Sequence, residues 1–291
     1  MTITDANPTF EFLESAASRV PAPAMRVHEL HVEVTSRHEL LHGVSLEVRA
    51  GAMHGLVGET GSGKSMTASS IMGLLPNGIR ISSGSIELNG RELVGMPEKG
   101  LRRIRGREFG MIFQNPRTAL SPMHQIGSQL DRVLRAHTDL KSKMRESRAL
   151  EHLSLVGIPD PRRIAAAYPH ELSGGLAQRA VIAIVLACEP TFVIADEPTT
   201  GLDATVQMQI LELIAKLQRQ LGLGVLMITH DLGIVAQYCE TMSVMFAGSI
   251  VEHGRSEEIL TAPTAPYTKS LLASSRLESL VCEPDEVAVS A

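Results

Sequence analysis

The stretch Ala52-Met-His-Gly-Leu-Val57-Gly58-Glu59-Thr60-Gly61-Ser62-Gly63-Lys64-Ser65 decides how the rest of the chain is read. A short apolar run leads into a glycine-rich turn, and Ser65 to Leu75 then reads as a helix stopped by Pro76. The turn fits the phosphate-loop pattern G-x-x-x-x-G-K-[ST]. Its glycines let the backbone curl so that successive N–H groups point at phosphate oxygens, and the helix that starts there adds its positive dipole end. Gly58, Glu59, Thr60, Gly61, Ser62 and Gly63 form the expected cradle, with Thr67 on the first turn of the helix. Lys64 supplies a point charge for β and γ phosphates, and the Ser65 hydroxyl is a ligand for Mg²⁺. A glycine-rich turn that binds nothing is the plain alternative. The apolar run before it and the uninterrupted helix after it argue for nucleotide binding.

A second acidic element supports this. Phe192-Val-Ile-Ala-Asp196-Glu197 is an apolar strand ending in two carboxylates. Solvated acids at a strand end are common. Beside a phosphate loop, however, Asp196 is placed to hold Mg²⁺ through water, and Glu197 to orient or deprotonate an attacking water.

Composition sets the outer bounds. The chain has 291 residues, which suits one large α/β domain with a subdomain, and 44% apolar residues suffice for a sizeable core. Twenty-seven Lys and Arg against 32 Asp and Glu leave a net charge of −5, a poor balance for binding a phosphate backbone. With 3% aromatic residues and no Trp, base-stacking platforms are not expected either, so no nucleic-acid partner is expected. Cys188, Cys239 and Cys282 lie far apart without metal spacing, which suits a reducing cytosol. The longest unbroken apolar run, Ala180 to Cys188, is far shorter than the roughly 20 residues of a membrane span. The acidic N-terminus lacks the apolar core of a secretory signal.

Along the chain, residues 1–24 read as a tail. Residues 25–115 read as an antiparallel β subdomain and the first part of a phosphate-loop core. Alternating Val27, Leu30, Val32 and Val34, then Val44, Leu46 and Val48, mark its strands, and Ser85 to Leu88 before Asn89-Gly90 marks another. Residues 116–172 are Arg-rich and helix-like, a helical subdomain. Residues 173–255 return to the core: a helix from Ser173 to Cys188, buried strands at Thr191–Ala195 and Val225–Thr229 around a helix from Val206 to Leu221, and a hairpin across Ala247-Gly248-Ser249. Strands alternating with helices imply a parallel sheet. Residues 256–291 form an extension with an acidic tail (Glu278, Glu283, Asp285, Glu286) expected to be disordered.

Leu172-Ser173-Gly174-Gly175-Leu176-Ala177-Gln178-Arg179 lies between these two acidic and glycine-rich elements and opens an apolar helix. Ser173 suits a helix cap, and Gly174 and Gly175 allow close backbone approach to an anion. In this order the three motifs resemble the ABC-type ATPases: an α/β phosphate-loop domain with a helical subdomain and an antiparallel β subdomain. The resemblance implies further roles. Gln114, in Met111-Ile-Phe-Gln-Asn-Pro116, resembles the glutamine that senses Mg²⁺ and links to the transport partner. Asp203, in Gly201-Leu-Asp203-Ala, resembles the aspartate loop, and His230 resembles the switch histidine at the γ-phosphate. Two such ATPases face each other head to tail, with each ATP between one chain's phosphate loop and the other's Ser173-type signature.

Tyr168-Pro-His-Glu-Leu-Ser-Gly-Gly, Ala195-Asp-Glu-Pro-Thr-Thr-Gly-Leu-Asp-Ala-Thr-Val-Gln and Ala262-Pro-Thr-Ala-Pro266-Tyr267-Thr268-Lys-Ser-Leu-Leu are similar to the peptide and nickel importer group, although Ala265 stands where that group usually has His. The likeness covers roughly residues 25–276. It implies an ATP- and Mg²⁺-dependent ATPase on the cytoplasmic face of the cell membrane. Its expected partners are a second, different ATPase subunit, two permease subunits and, indirectly, an external solute-binding protein. Peptides, nickel and metal–ligand complexes are the expected cargo classes. A soluble ABC-type ATPase of DNA repair or translation is the alternative. One departure stands out: the group stacks an aromatic ring on adenine from a loop upstream of the phosphate loop, and no Phe, Tyr or Trp occurs between Phe12 and Phe109. The corresponding Thr35-Ser36-Arg37-His38 offers Arg37 or His38 to cover the base, and weak base selection is expected. The run Arg102, Arg103, Arg105 and Arg107 reads as a solvated face. A metal site at His28 and His31, or an iron–sulfur site around Cys282, is not expected.

Overall fold

A computed structural model describes residues 23–35 and 38–281, with side chains described as far as residue 274. Arg37, the residues 1–22 of the expected tail, Cys282 and the acidic positions Glu283, Asp285 and Glu286 lie outside the described residues.

Two sheets carry the fold. In the first, β2 (Glu39–Arg49), β1 (Ala24–Val34), β4 (Ile79–Leu88) and β5 (Arg91–Glu92) lie side by side in that order, all antiparallel. The alternation of β1 and β2 turns Val27, Leu30, Val32, Leu41, Val44 and Leu46 inward. The register of β1 slips after Val27, where Glu29 takes a φ of 44°. Gly84 on β4 faces this bulge, and a Cβ there would lie 2.3 Å from the Glu29 carbonyl oxygen, so only glycine fits. Asn89 and Gly90, both at positive φ, turn β4 back into β5. β4 begins at Ile79, six residues before the apolar pattern shows it, because its first half is polar and largely exposed.

The second sheet has the order β10-β9-β3-β8-β7-β6. Strands β3 (Met53–Val57), β6 (Phe109–Ile112), β7 (Phe192–Asp196), β8 (Gly224–Thr229) and β9 (Thr241–Phe246) run parallel, and β10 (Ser249–Arg255) folds back antiparallel on the edge. Both faces of this sheet are covered. Val193, Ala195, Val225 and Met227 join one core under the helices, and Phe192, Ile194, Leu226 and Ile228 join a second core beneath the antiparallel sheet. Burial on both faces explains why β7 and β8 read as unbroken apolar runs.

Helix α1 (Lys64–Met72) springs from β3, and α2 (Glu98–Ile104) precedes β6. α1 ends earlier than Pro76 suggests, because Gly73 adopts the left-handed conformation and donates its N–H to the Ser69 and Ser70 carbonyls. Between β6 and β7 run α3 (Pro116–Ala119), α4 (Ile126–His137), α5 (Ser142–Leu155), α6 (Pro161–Ala166) and α7 (Gly174–Leu186). Ile126, Leu130 and Leu134 of α4 share one buried stripe. α8 (Ala204–Leu221) and α9 (Leu232–Tyr238) flank β8, and α10 (Ser256–Thr261) and α11 (Pro266–Val281) close the chain. Glu278, expected in a disordered tail, lies on α11. No helix among the described residues is long and apolar enough to cross a membrane.

Candidate functional site

Parallel strands deliver the site residues at their C-terminal ends, where loops are free to meet a ligand. After β3 the loop Gly58–Gly63 turns back on itself. A Cβ on Gly58 would lie 2.1 Å from the Met245 carbonyl oxygen of β9, and one on Gly63 2.7 Å from the Met245 side chain. The glycines therefore let the loop lie directly against the C-terminal end of β9. Lys64 folds over the loop: its buried Nζ donates to the carbonyls of Gly58 (2.6 Å) and Glu59 (2.9 Å) and reaches Ser62 Oγ at 3.5 Å. Burial lowers its pKa, while the carboxylates of Glu197, Asp196 and Glu59 oppose that shift. Thr67 is fully buried and gives its hydroxyl to the Gly63 carbonyl at 3.1 Å, bracing the loop from beneath.

At the end of β7, Asp196 Oδ1 accepts the Ser65 hydroxyl at 3.3 Å. Burial raises the Asp196 pKa, the Glu197 charge adds to this, and Ser65 and Lys64 pull the other way. Glu197 sits at φ 45°, a conformation that costs a non-glycine residue of order 1–3 kcal/mol. Its carboxylate is held by three side chains. Gln114 Nε2 donates to Oε2 at 2.8 Å, Thr200 Oγ1 donates to Oε2 at 3.0 Å, and His230 Nδ1 lies 3.0 Å from Oε1. Burial would raise the Glu197 pKa, but the hydrogen bonds from His230 and Thr200 and the charge of Lys64 outweigh it and hold the carboxyl below its usual range. A carboxyl held below its usual range is a weaker base, which suits Glu197 to orienting a water rather than taking its proton.

A cavity of about 340 Å³ lies between the two groups. Thr60, Gly61, Gly63, Lys64 and Ser65 line one side, and Gln114 and Glu197 the other. Leu40 and Met66 add apolar wall, and neither they nor Thr200 stand out in the sequence; each is reached only through the tertiary fold. Ser173, Gly174, Gly175 and Asp203 do not line this cavity. They stand where α7 and α8 begin. Ser173 caps α7, accepting the Leu176 N–H, and Asp203 caps α8, accepting the Val206 N–H at 3.0 Å. A Cβ on Gly175 would lie 2.8 Å from Val206, and one on Gly174 3.0 Å from Leu202, so both glycines let the start of α7 close on the turn before α8. His38 is exposed.

Residues 41–200 match the family model of the ABC transporter, more than half of the chain. The chain belongs to the ABC transporter family. It is an ATP-binding ATPase of that family. The dipeptide transport ATP-binding protein DppD of Bacillus subtilis is 45% identical over 254 residues, covering 86% of this chain and 76% of the relative. The oligopeptide transport ATP-binding protein OppD of Lactococcus lactis subsp. cremoris is 47% identical over 235 residues, covering 80% and 69%. Among solved structures, the ATP-binding cassette MJ0796, a dimer in a post-hydrolysis state bound to ADP and Pi, superposes with a TM-score of 0.70 at 25% identity over 80% of this chain and 98% of that one.

A larger cavity of this ABC ATPase, about 1040 Å³, is lined by Lys99, Arg102, Arg103, Arg107, Arg135 and His137, with Arg105. Arg105 is not part of a solvated face. It donates to the carbonyls of Met72 (2.7 Å) and Gly73 (2.9 Å) and pairs with Glu98. It closes the C-terminus of α1, while Arg102 and Arg103 lie in the last turn of α2 and Arg135 and His137 in that of α4. Three helix C-termini favour the positive charge of Arg102, Arg103, Arg105 and Arg135 here.

Proposed function

We propose that this chain hydrolyses ATP to power peptide import, as a peripheral subunit on the cytoplasmic face of the membrane. The clasp of Gln114, Thr200 and His230 around Glu197 carries this reading, because it joins a hydrolytic carboxylate to the element that the family resemblance links to a transport partner. The names of the relatives from Bacillus subtilis and Lactococcus lactis favour dipeptides or oligopeptides over nickel or metal–ligand complexes as cargo.

The site residues divide the work. Lys64 leaves the Gly58 and Glu59 carbonyls to meet the β and γ phosphates, and the loop N–H groups hold the phosphate oxygens. Ser65 and Asp196, whose side chains already meet, fit Mg²⁺, which prefers few carboxylates plus phosphate oxygens and waters. When bound, the ion neutralises phosphate charge. Gln114 belongs to the same set. Glu197 orients the water that attacks the γ-phosphorus, giving ADP and phosphate, and His230 on its other side faces the same phosphate. Ser173, Gly174, Gly175 and Asp203 close the site of a second subunit, and that subunit, a different ATPase, closes this one. Two permeases dock on the helical segment beyond Gln114, and a solute-binding protein supplies cargo from outside.

The test is to tag the chain in its own cell, extract membranes gently and identify what co-purifies. Two multi-span proteins and a second ATPase are expected. A chain recovered with ribosomes or DNA and no membrane protein would leave the ATPase standing and overturn the transport reading.

A further inference from the structure

The C-terminal extension touches the phosphate loop directly. The backbone N–H of Glu59 donates to the Tyr267 hydroxyl at 3.1 Å, across 208 positions of sequence. The ring of Tyr267 packs on Phe246 at the end of β9, with centroids 4.3 Å apart. Glu252 of β10 fixes where the tyrosine stands. Its carboxylate accepts the Thr264 N–H (2.6 Å), the Thr264 hydroxyl (2.8 Å) and the Ala265 N–H (3.2 Å), just before α11 begins. The other end of the contact leads to the catalytic lysine. The Glu59 carbonyl accepts from Lys64 Nζ at 2.9 Å and from the Ser62 N–H at 3.1 Å. One loop residue thus holds α11 through its N–H and Lys64 through its C=O.

We propose that Tyr267 is a positioning residue for ATP: its hydroxyl holds Glu59, and through it the curl of the phosphate loop, so that α11 is part of the nucleotide site and displacement of α11 weakens ATP binding. This rests on the ATPase reading. The Tyr267 hydroxyl accepts from a loop amide at the mouth of the phosphate cradle.

Tyr267→Phe removes only the hydroxyl and keeps the ring on Phe246. The loss of one such hydrogen bond predicts a roughly three- to tenfold rise in the Kd and KM for ATP with kcat unchanged. The unfolding temperature should fall by no more than a few degrees. Glu252→Gln, which touches no loop residue, should raise KM in the same direction, and its effect should vanish in the Tyr267→Phe background. The chain has no Trp and three Tyr. A Tyr168→Phe, Tyr238→Phe chain therefore reports Tyr267 alone, and its emission should change on titration with ATP, half-maximally at the Kd. Unchanged ATP affinity in Tyr267→Phe, additive effects of the two substitutions, or flat Tyr267 emission would overturn the proposal. Failure of the unsubstituted chain to bind ATP at all would overturn the ATPase reading beneath it, which the wild-type titration shows separately.

Discussion

Glu197 is held at an unfavourable φ and clasped from three sides, so its chemistry is separable from its backbone. Glu197→Gln keeps the shape and the Thr200 bond but loses the charge. It should bind ATP like the parent chain and lose at least about 10²-fold in kcat, measured by phosphate release; unchanged hydrolysis would remove Glu197 from its role. The base is a second residue-scale matter. With Arg37 or His38 where an aromatic ring is expected, GTP and ATP should be turned over at comparable rates. A strong ATP preference abolished by Arg37→Ala would show that stacking is retained. The phosphate loop, Asp196 and Glu197 are legible in the sequence because each sits in a short motif whose chemistry needs those residue types, whereas Gln114 and His230 are reached only through the family resemblance. Thr200, Leu40 and Tyr267 are not legible there, because their roles depend on which strand ends the fold brings together.

Elements show the same division. β7 and β8 are plain in the sequence because burial on both faces strips them of polar residues. β6 is only four residues long behind an Arg-rich turn, and too short a run to declare a strand. In the sequence Gly174 and Gly175 read as an approach for an anion, yet in the fold they also face Leu202 and Val206. Gly175→Ala should therefore cost about 1–3 kcal/mol in urea unfolding, and Gly175→Ala with Val206→Ala should recover most of it. The β3–β9–β10 edge carries another prediction. His54, 1% exposed, bonds Thr241 (2.8 Å) and Ser243 (3.0 Å), and Ser243 in turn meets His253 (3.0 Å). Burial, with the charge of His253, pushes His54 down to about 4. Above pH ~6.5 neither state is charged there. As pH falls from ~6.5 towards 4 the unfolded chain takes up a proton that the native chain refuses, so stability drops, by about 3 kcal/mol in full. Urea midpoints at pH 7 and pH 5 should differ in the parent chain and differ less in His54→Leu.

At the scale of the whole molecule, two sheets with a core on each face of the second one present the nucleotide residues at one set of strand ends. The cavity between the phosphate loop and Glu197 contains nothing of the Ser173 turn. Taken alone, one copy therefore holds two unmatched halves. The consequence is one of reaction order. In dilute solutions of this chain by itself, where a second copy takes the place of the different subunit, hydrolysis should climb with the square of protein concentration, about fourfold for each doubling, until pairing saturates. A mixture of Lys64→Ala chains with Ser173→Ala chains, each inactive, should regain about a quarter of the parental rate, because half of the pairs are mixed and each mixed pair rebuilds one intact site. A rate that stays proportional to concentration, with no recovery on mixing, would mean that a single copy completes its own turnover.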